Sequence, residues 1–250
     1  MDKQKIIEEY LNGIGVVELS KKYECHRSTI QRLLKRNGVV LRKSTPRLKY
    51  DINFFKTYTS ESCYWAGFIA ADGYVRGNRD TVHIKLSVYD YEFLNKFKKN
   101  INFSGNVKIR NEYCTIDISG KWFKNDLKEN FNVVPNKTFN VCIPEGIPDE
   151  MVCHFVRGYF DGDGSITKTT CGTISFTSGS IVLLKQLQEL FYNNGVRLKS
   201  KNKYPPIQRN VSITYSGKNA KLILDWMYNN SNEYMRMDRK YLKYIKLFKE

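Results

Sequence analysis

The chain has 250 residues, with 41 Lys or Arg against 25 Asp or Glu, for a net charge of +16. At 41% hydrophobic and 14% aromatic it can bury a sizeable core, and its length suits one large domain or a small one beside a medium one. No apolar run is long enough to span a bilayer, the opening MDKQKIIEEY lacks a signal-peptide apolar segment, and the positive surplus favours a polyanionic partner. An intracellular protein, cytoplasmic or organellar, is expected, with no membrane partner.

Residues 1–43 read as a small all-α domain of three short helices. The first covers Lys3–Leu11, with Ile6, Ile7, Tyr10 and Leu11 on one stripe, and Asn12-Gly13 stops it. The second covers Val16–Tyr23 and turns Val16, Val17, Leu19 and Tyr23 inward. The third covers Arg27–Arg36, with Ile30, Leu33 and Leu34 inward. Its outer face then shows Arg27, Ser28, Thr29, Gln31, Arg32, Lys35 and Arg36, side-chain types that contact phosphates and base edges. From Cys25 to Lys49 there are eight basic residues and no acidic one. The stretch VVELSKKYECHRSTIQRLLKRNGV resembles the helix-turn-helix of resolvases and many bacterial regulators, with His26 where a small capping residue is usual. The resemblance implies a DNA-binding head. A three-helix protein-binding module is the competing reading.

Residues 44–60 are expected to be a basic linker, because Pro46 disfavours a continuous helix. Arg42, Lys43 and Arg47 are placed to enter a minor groove as an arm, or to serve as a plain tether. The six cysteines are scattered without a Cys-x-x-Cys pair, and there are three histidines, so no zinc site is expected.

The remainder contains an internal repeat. YWAGFIAADGYV (64–75) matches FVRGYFDGDGSI (155–166), which pairs Asp72 with Asp163 at an offset of 91 residues. Gly67 then pairs with Gly158, and Gly73 with Gly164. IKLSVYDYEFLNKF (84–97) parallels ISFTSGSIVLLKQL (174–187), and TIDISGK (115–121) parallels SITYSGK (212–218). Each unit reads helix, strands, helix, strands, helix. Two α+β halves, 61–150 and 151–250, related by a pseudo-twofold axis, are the expected product. Such a molecule matches the pseudo-dyad of duplex DNA.

Both matched segments end an apolar stretch in an acid followed by glycine. Acids are unfavourable at a helix C-terminus, where the macrodipole is already negative. The two segments resemble the nine-residue motif of the LAGLIDADG homing endonuclease family, on residues 65–73 and 156–164. The resemblance implies two αββαββα repeats forming a DNA-binding saddle, with the motif helices side by side at the centre. Gly67, Ala66 and Gly158 suit such close packing, whereas Arg157 stands at a position usually small or apolar. It implies Asp72 and Asp163 as catalytic acids and, with Gly73 and Gly164, as metal-binding positions. Oxygen ligands completed by phosphates and water favour Mg²⁺, for which Mn²⁺ can substitute. Ala70 stands where the second segment has Asp161, and Asp161 is expected to cap or support rather than to ligate.

The family also places a basic residue late in each half. Lys137 is the candidate in the first and Lys240, with Lys243 as a rival, in the second; surface lysines are the ordinary alternative. The resemblance puts DNA contacts on the sheets, near 80–88, 106–118, 172–178 and 196–215. Lys85, Lys108, Arg110, Lys199, Lys201, Lys203 and Arg209 are the candidates there. The expected function is site-specific double-strand cleavage of a long DNA target by a monomer. A non-cleaving regulator or an RNA-splicing maturase on the same scaffold is the alternative, and the presence of both acids favours the enzyme.

Overall fold

The computed structural model describes residues 2–41, 48–197 and 210–249. The chain divides into two compact units, Met1–Arg47 and Leu48–Glu250. Each has its own apolar core.

The first unit holds α1 (Lys3–Leu11), α2 (Val16–Lys22) and α3 (Arg27–Arg36). Ile6, Tyr10, Leu19, Ile30, Leu33 and Leu34 form its core. Leu11 and Val17, expected inward, are instead 68% and 48% exposed. At 100° per residue Leu11 sits well round the helix from Ile6, and Val17 lies nearly opposite Leu19. Asp2 caps α1 by accepting from the Gln4 and Lys5 amides. His26 performs the same task for α3, its Nδ1 accepting from the Ser28 amide at 3.4 Å. The tight passage from α2 to α3 passes through Glu24 at φ 47°, and the Cys25 amide returns to the Ser20 carbonyl at 3.0 Å.

The second unit carries the repeat. The first half runs α4 (Ser60–Asp72), β1 (Gly73–Val75), β2 (Thr81–Ser87), α5 (Tyr91–Asn100), β3 (Lys108–Arg110), β4 (Tyr113–Ser119) and α6 (Lys121–Phe131). The second runs α7 (Asp149–Asp163), β5 (Gly164–Thr167), β6 (Thr173–Ser178), α8 (Ile181–Asn193), β7 (Val211–Ser216), α9 (Gly217–Tyr228) and α10 (Asp238–Phe248). The strands form two antiparallel sheets, ordered β1-β2-β4-β3 and β5-β6-β7. Where the second half has α10, the first has a single 3-10 turn, Lys137–Phe139. The expected α+β architecture of paired repeats is thus what the chain adopts.

Part of the stretch expected as a linker belongs to the first half. The Lys49 amide donates to Ser104 Oγ at 2.7 Å and the Asp51 amide to the Ile101 carbonyl at 2.7 Å. Phe55 is fully buried edge-on against Phe123, with centroids 4.9 Å apart. Basic residues here mask an aromatic series, Tyr50, Phe54, Phe55 and Tyr58, whose burial outweighs the local charge.

At the centre α4 and α7 pack together. α4 is apolar all round and buried from Ser62 to Ala70, as an interior helix must be. A Cβ on Gly67 would lie 2.0 Å from the Phe155 carbonyl oxygen, and one on Gly158 1.9 Å from that of Tyr64. Only hydrogen fits at either position. Buried Val82, Ile84, Leu86, Cys114, Ile116 and Ile118 turn one face of the first sheet to the core, leaving the alternate residues on an open face.

Candidate active site

α4 and α7 end at Asp72 and Asp163, and in both the chain passes straight into a strand through glycine. Gly73 and Gly164 are extended (φ −80° and −92°), so their role is space rather than conformation. A Cβ at Gly73 would meet Ile69 Cγ2 at 2.5 Å, and one at Gly164 would meet Phe160 Cδ2 at 2.1 Å. The helix ends converge: a Cβ on Gly162 would stand 2.4 Å from Ala71 Cβ and 3.4 Å from Asp72 Oδ2. Both aspartates remain solvent-accessible.

Crowding by surrounding protein atoms raises the Asp72 pKa above the ordinary carboxylate value, and the Asp163 charge adds to it. Lys240, Lys137 and Arg239 pull the other way. The same crowding raises Asp163, against Lys137, Lys240 and a hydrogen bond from Tyr159. Burial in turn lowers Lys137, and lowers Lys240 to about 8. A polar cleft of about 140 Å³ opens beside Asp163, lined by Lys137, Tyr159, Thr177 and Asn210 among others.

The two lysines take equivalent positions with unequal engagement. Lys137 Nζ donates to the Ala71 carbonyl at 3.0 Å, at the end of α4. Lys240 is 5% exposed, and its Nζ lies 2.7, 2.8, 3.2 and 2.6 Å from the carbonyls of Phe160, Asp161, Gly162 and Gly164. A cation at a helix C-terminus satisfies orphan carbonyls and opposes the negative dipole end. Lys240 is therefore a fixed cap on α7. Its rival Lys243 is exposed.

Asp161 is fully buried and touches no solvent. It accepts from Tyr64 Oη at 2.7 Å, Tyr228 Oη at 3.0 Å and the Met237 amide at 2.8 Å. It thus ties α4, α9 and the approach to α10 around the Lys240 cap, a supporting place as expected. Arg157 is also fully buried. Its guanidinium donates to the Met235 carbonyl at 2.8 Å, to the Met227 carbonyl and to His154 Nδ1 at 2.7 Å, and it lies over the Tyr64 ring. Its length explains how a large cation fits a place usually small: the side chain leaves the helix contact and closes the α9–α10 loop. Tyr64, Tyr159, Tyr228 and Arg239 complete this environment. Sequence reasoning passed over them because an isolated Tyr in an apolar run carries no spacing signal.

Residues 150–225 match the family model for a LAGLIDADG-like domain. The chain carries a LAGLIDADG-like domain. An uncharacterized protein of Methanocaldococcus jannaschii, MJ0314, is 26% identical over 174 residues, covering 61% of this chain and 60% of that protein. The match thus spans about 60% of that relative's length. Among solved structures, the LAGLIDADG meganuclease I-CpaMI bound to uncleaved DNA is similar with a TM-score of 0.50 at 11% identity, over 76% of this chain and 90% of that one. The meganuclease I-SmaMI bound to uncleaveable DNA gives 0.46 at 12% identity, over 74% and 87%. The likeness to I-CpaMI is one of fold.

The open faces of the two sheets differ in chemistry. On the first, Lys85 and Lys108 both stand opposite Thr115, and Arg110 stands opposite Tyr113. Lys85 Nζ lies 3.7 Å from the Tyr113 ring centroid, Lys108 is 3.9 Å from Asp117, and His83 Nδ1 is 2.9 Å from the same carboxylate. On the second, Ser165, Ser175 and Thr214 form one cross-strand row, and Thr167, Thr173 and Ser216 the next. Their hydroxyls pair across strands at 2.8 Å (Ser165–Ser175) and 2.9 Å (Thr173–Ser216).

In the first unit Arg27, Thr29, Arg32, Lys35 and Arg36 are exposed on α3, with Ser28 and Gln31 half-buried. Arg42, Lys43, Arg47, Lys199, Lys201, Lys203 and Arg209 lie outside the described residues. Among the described residues no three His, Cys, Asp or Glu side chains converge as a metal cluster.

Proposed function

We propose that this protein is a site-specific DNA endonuclease that hydrolyses one phosphodiester in each strand of a long target. The observation that carries the reading is the convergence of Asp72 and Asp163 at the ends of α4 and α7. Two acids at two negative helix ends repel each other and repel phosphates. A divalent cation between protein and DNA removes both penalties. The donor set fits one: two accessible carboxylates, with room for phosphate oxygens and water, suit Mg²⁺, and Mn²⁺ as its substitute. Asp72 and Asp163 would hold it. The Gly164 carbonyl, already held by Lys240 at 2.6 Å, is poorly placed to join them. When bound, the ion lowers the pKa of a water and stabilises the leaving oxygen.

The chain's own residues do the rest. Lys137, beside the cleft at Asp163, offers positive charge where charge develops on the phosphate. Lys240 fixes the turn that aims Asp163. The open sheet faces receive the duplex, and the outer face of α3 adds contacts as a second module. A single chain supplies both halves, which favours a monomer. A non-cleaving regulator or a maturase would use the same surfaces without needing both acids, and both are present.

The test is cleavage of a duplex library by the full chain with Mg²⁺, followed by Asp72→Asn and Asp163→Asn. Each variant should bind DNA normally and lose double-strand cleavage. A variant that cuts at the wild-type rate removes its aspartate from the site, and binding without cleavage by the wild type supports the regulator.

A further inference from the structure

One row of the first sheet carries a carboxylate on the open face. Tyr74, His83 and Asp117 are cross-strand partners on β1, β2 and β4. Tyr74 stands two residues beyond Asp72, so the row adjoins the end of α4. Among the described strand residues of this open face, Asp117 is the only acid. A carboxylate beneath a polyanion weakens binding to every sequence alike. Its place on such a face calls for a contact that repays the repulsion.

The two oxygens of Asp117 are unequally occupied. Oδ1 accepts from His83 Nδ1 at 2.9 Å, since a carboxylate has no proton to give. Oδ2 lies 3.9 Å from Lys108 Nζ, beyond hydrogen-bond reach, and accepts no hydrogen bond among the described residues. The Asp117 side chain is 35% exposed and that of His83 22%. His83 thus fixes the orientation of the carboxylate and leaves its second oxygen open to the face. Of the base edges in a major groove, guanine and thymine present acceptors, adenine sets an acceptor beside its amino group, and cytosine presents an amino donor alone.

We propose that Asp117 is a specificity-determining residue whose Oδ2 accepts from the N4 amino group of one cytosine in the target, with His83 as the positioning residue that aims it. The inference rests on the DNA reading above and deepens it. Discrimination here comes from repulsion as much as from attraction, because guanine and thymine set an acceptor against an acceptor. Asp117 therefore sharpens sequence preference while lowering general affinity for DNA.

Selection of bound duplexes from a randomised library, by the full chain in metal-free buffer, tests this. It is repeated with Asp117→Asn, Asp117→Ala and His83→Ala, each below its own melting temperature. The three side chains lie on the open face rather than in the core, and melting curves verify folding. The wild type should show a cytosine at one position that Asp117→Ala relaxes by about 5- to 100-fold. Asp117→Asn should shift the same position toward adenine, whose amino group and N7 match an amide. His83→Ala should weaken the cytosine preference there and leave other positions unchanged. Both Asp117 variants should bind unselected duplex more tightly than the wild type. Base preference unchanged in the Asp117 variants would reduce the carboxylate to an ion-pair partner of Lys108 and overturn the inference. Looser binding to all sequences alike would overturn it as well. Failure of the wild type to enrich any sequence would sink the DNA reading itself, an outcome distinct from both.

Discussion

Gly67 faces the Phe155 carbonyl oxygen, and Gly158 faces that of Tyr64, so that each glycine admits the backbone of the opposite helix. Gly158 follows Gly67 by 91 residues, and Phe155 follows Tyr64 by the same 91. The two contacts are one contact seen twice. The pseudo-twofold axis passes between them and, further along, between Ala71 and Gly162.

Gly67→Ala and Gly158→Ala should therefore cost stability equally. Each methyl carbon would sit about 2 Å from a backbone oxygen that cannot swing aside, so the helices must part. A loss of about 3 kcal/mol or more is expected for either, at the upper end of overpacking effects. Chemical denaturation of the two variants measures it, and a loss under about 0.5 kcal/mol would mean that the helix pair is not closely packed.

A second expectation concerns acid. His154 Nδ1 receives a hydrogen bond from Arg157, which has no acceptor, so the ring is neutral with its proton on Nε2. Burial, with Arg157 adding, lowers the His154 pKa to about 4. The unfolded chain takes up this proton near pH 6.5 and the folded one does not until about 4. Stability from this group is thus complete above pH 6.5 and is lost as the pH falls through about 4, roughly 3 kcal/mol in all. His154→Asn keeps an acceptor for Arg157 without titrating. Its unfolding free energy should fall less steeply between pH 6.5 and 4.5 than that of the wild type. Parallel curves would place the ring in solvent.

The lysines should separate stability from chemistry. Lys240→Met leaves the carbonyl oxygens at the end of α7 without their cation and should cost about 3 kcal/mol. Lys137→Met gives up one hydrogen bond and should cost about 1 kcal/mol. Under the proposed function, Lys137→Met should slow single-turnover cleavage about tenfold or more at full folding. Melting curves beside cleavage rates check both. Equal destabilisation would contradict the unequal engagement of the two caps.

Much of this was legible in the chain. The helices of the first unit follow the 3.6-residue period of its apolar residues, and α1 and α3 have the predicted limits. The repeat was visible because the structural demands at Gly67, Gly73, Gly158 and Gly164 are steric and admit few residues. What escaped was set by tertiary contact. The buried place of Lys240 depends on α10 meeting the end of α7, and nothing within its own segment distinguishes it from exposed Lys243. Residues 48–58 read as linker because their charge was weighed and their aromatic partners, Phe123 and Phe131, lie in a helix far along the chain.

The last prediction concerns the division between the two units. The first unit ends at Arg47, and the second begins its contacts with Lys49 on Ser104. Removing residues 1–47 should leave the melting temperature of the remainder unchanged within a few degrees, because the cores are separate. Removing residues 1–60 should unfold it, since Phe55 belongs to the larger core and Thr59 caps α4. If α3 reads DNA beside the cleavage point, the shorter deletion should also raise the dissociation constant by about 10- to 1,000-fold, as the loss of a linked module does. The footprint should shorten on one side only, because there is one head for two halves. Cleavage at saturating protein should keep its position. An unchanged footprint would assign the outer face of α3 to a protein partner. Full-strength binding without cleavage would mean that the first unit shapes the active site.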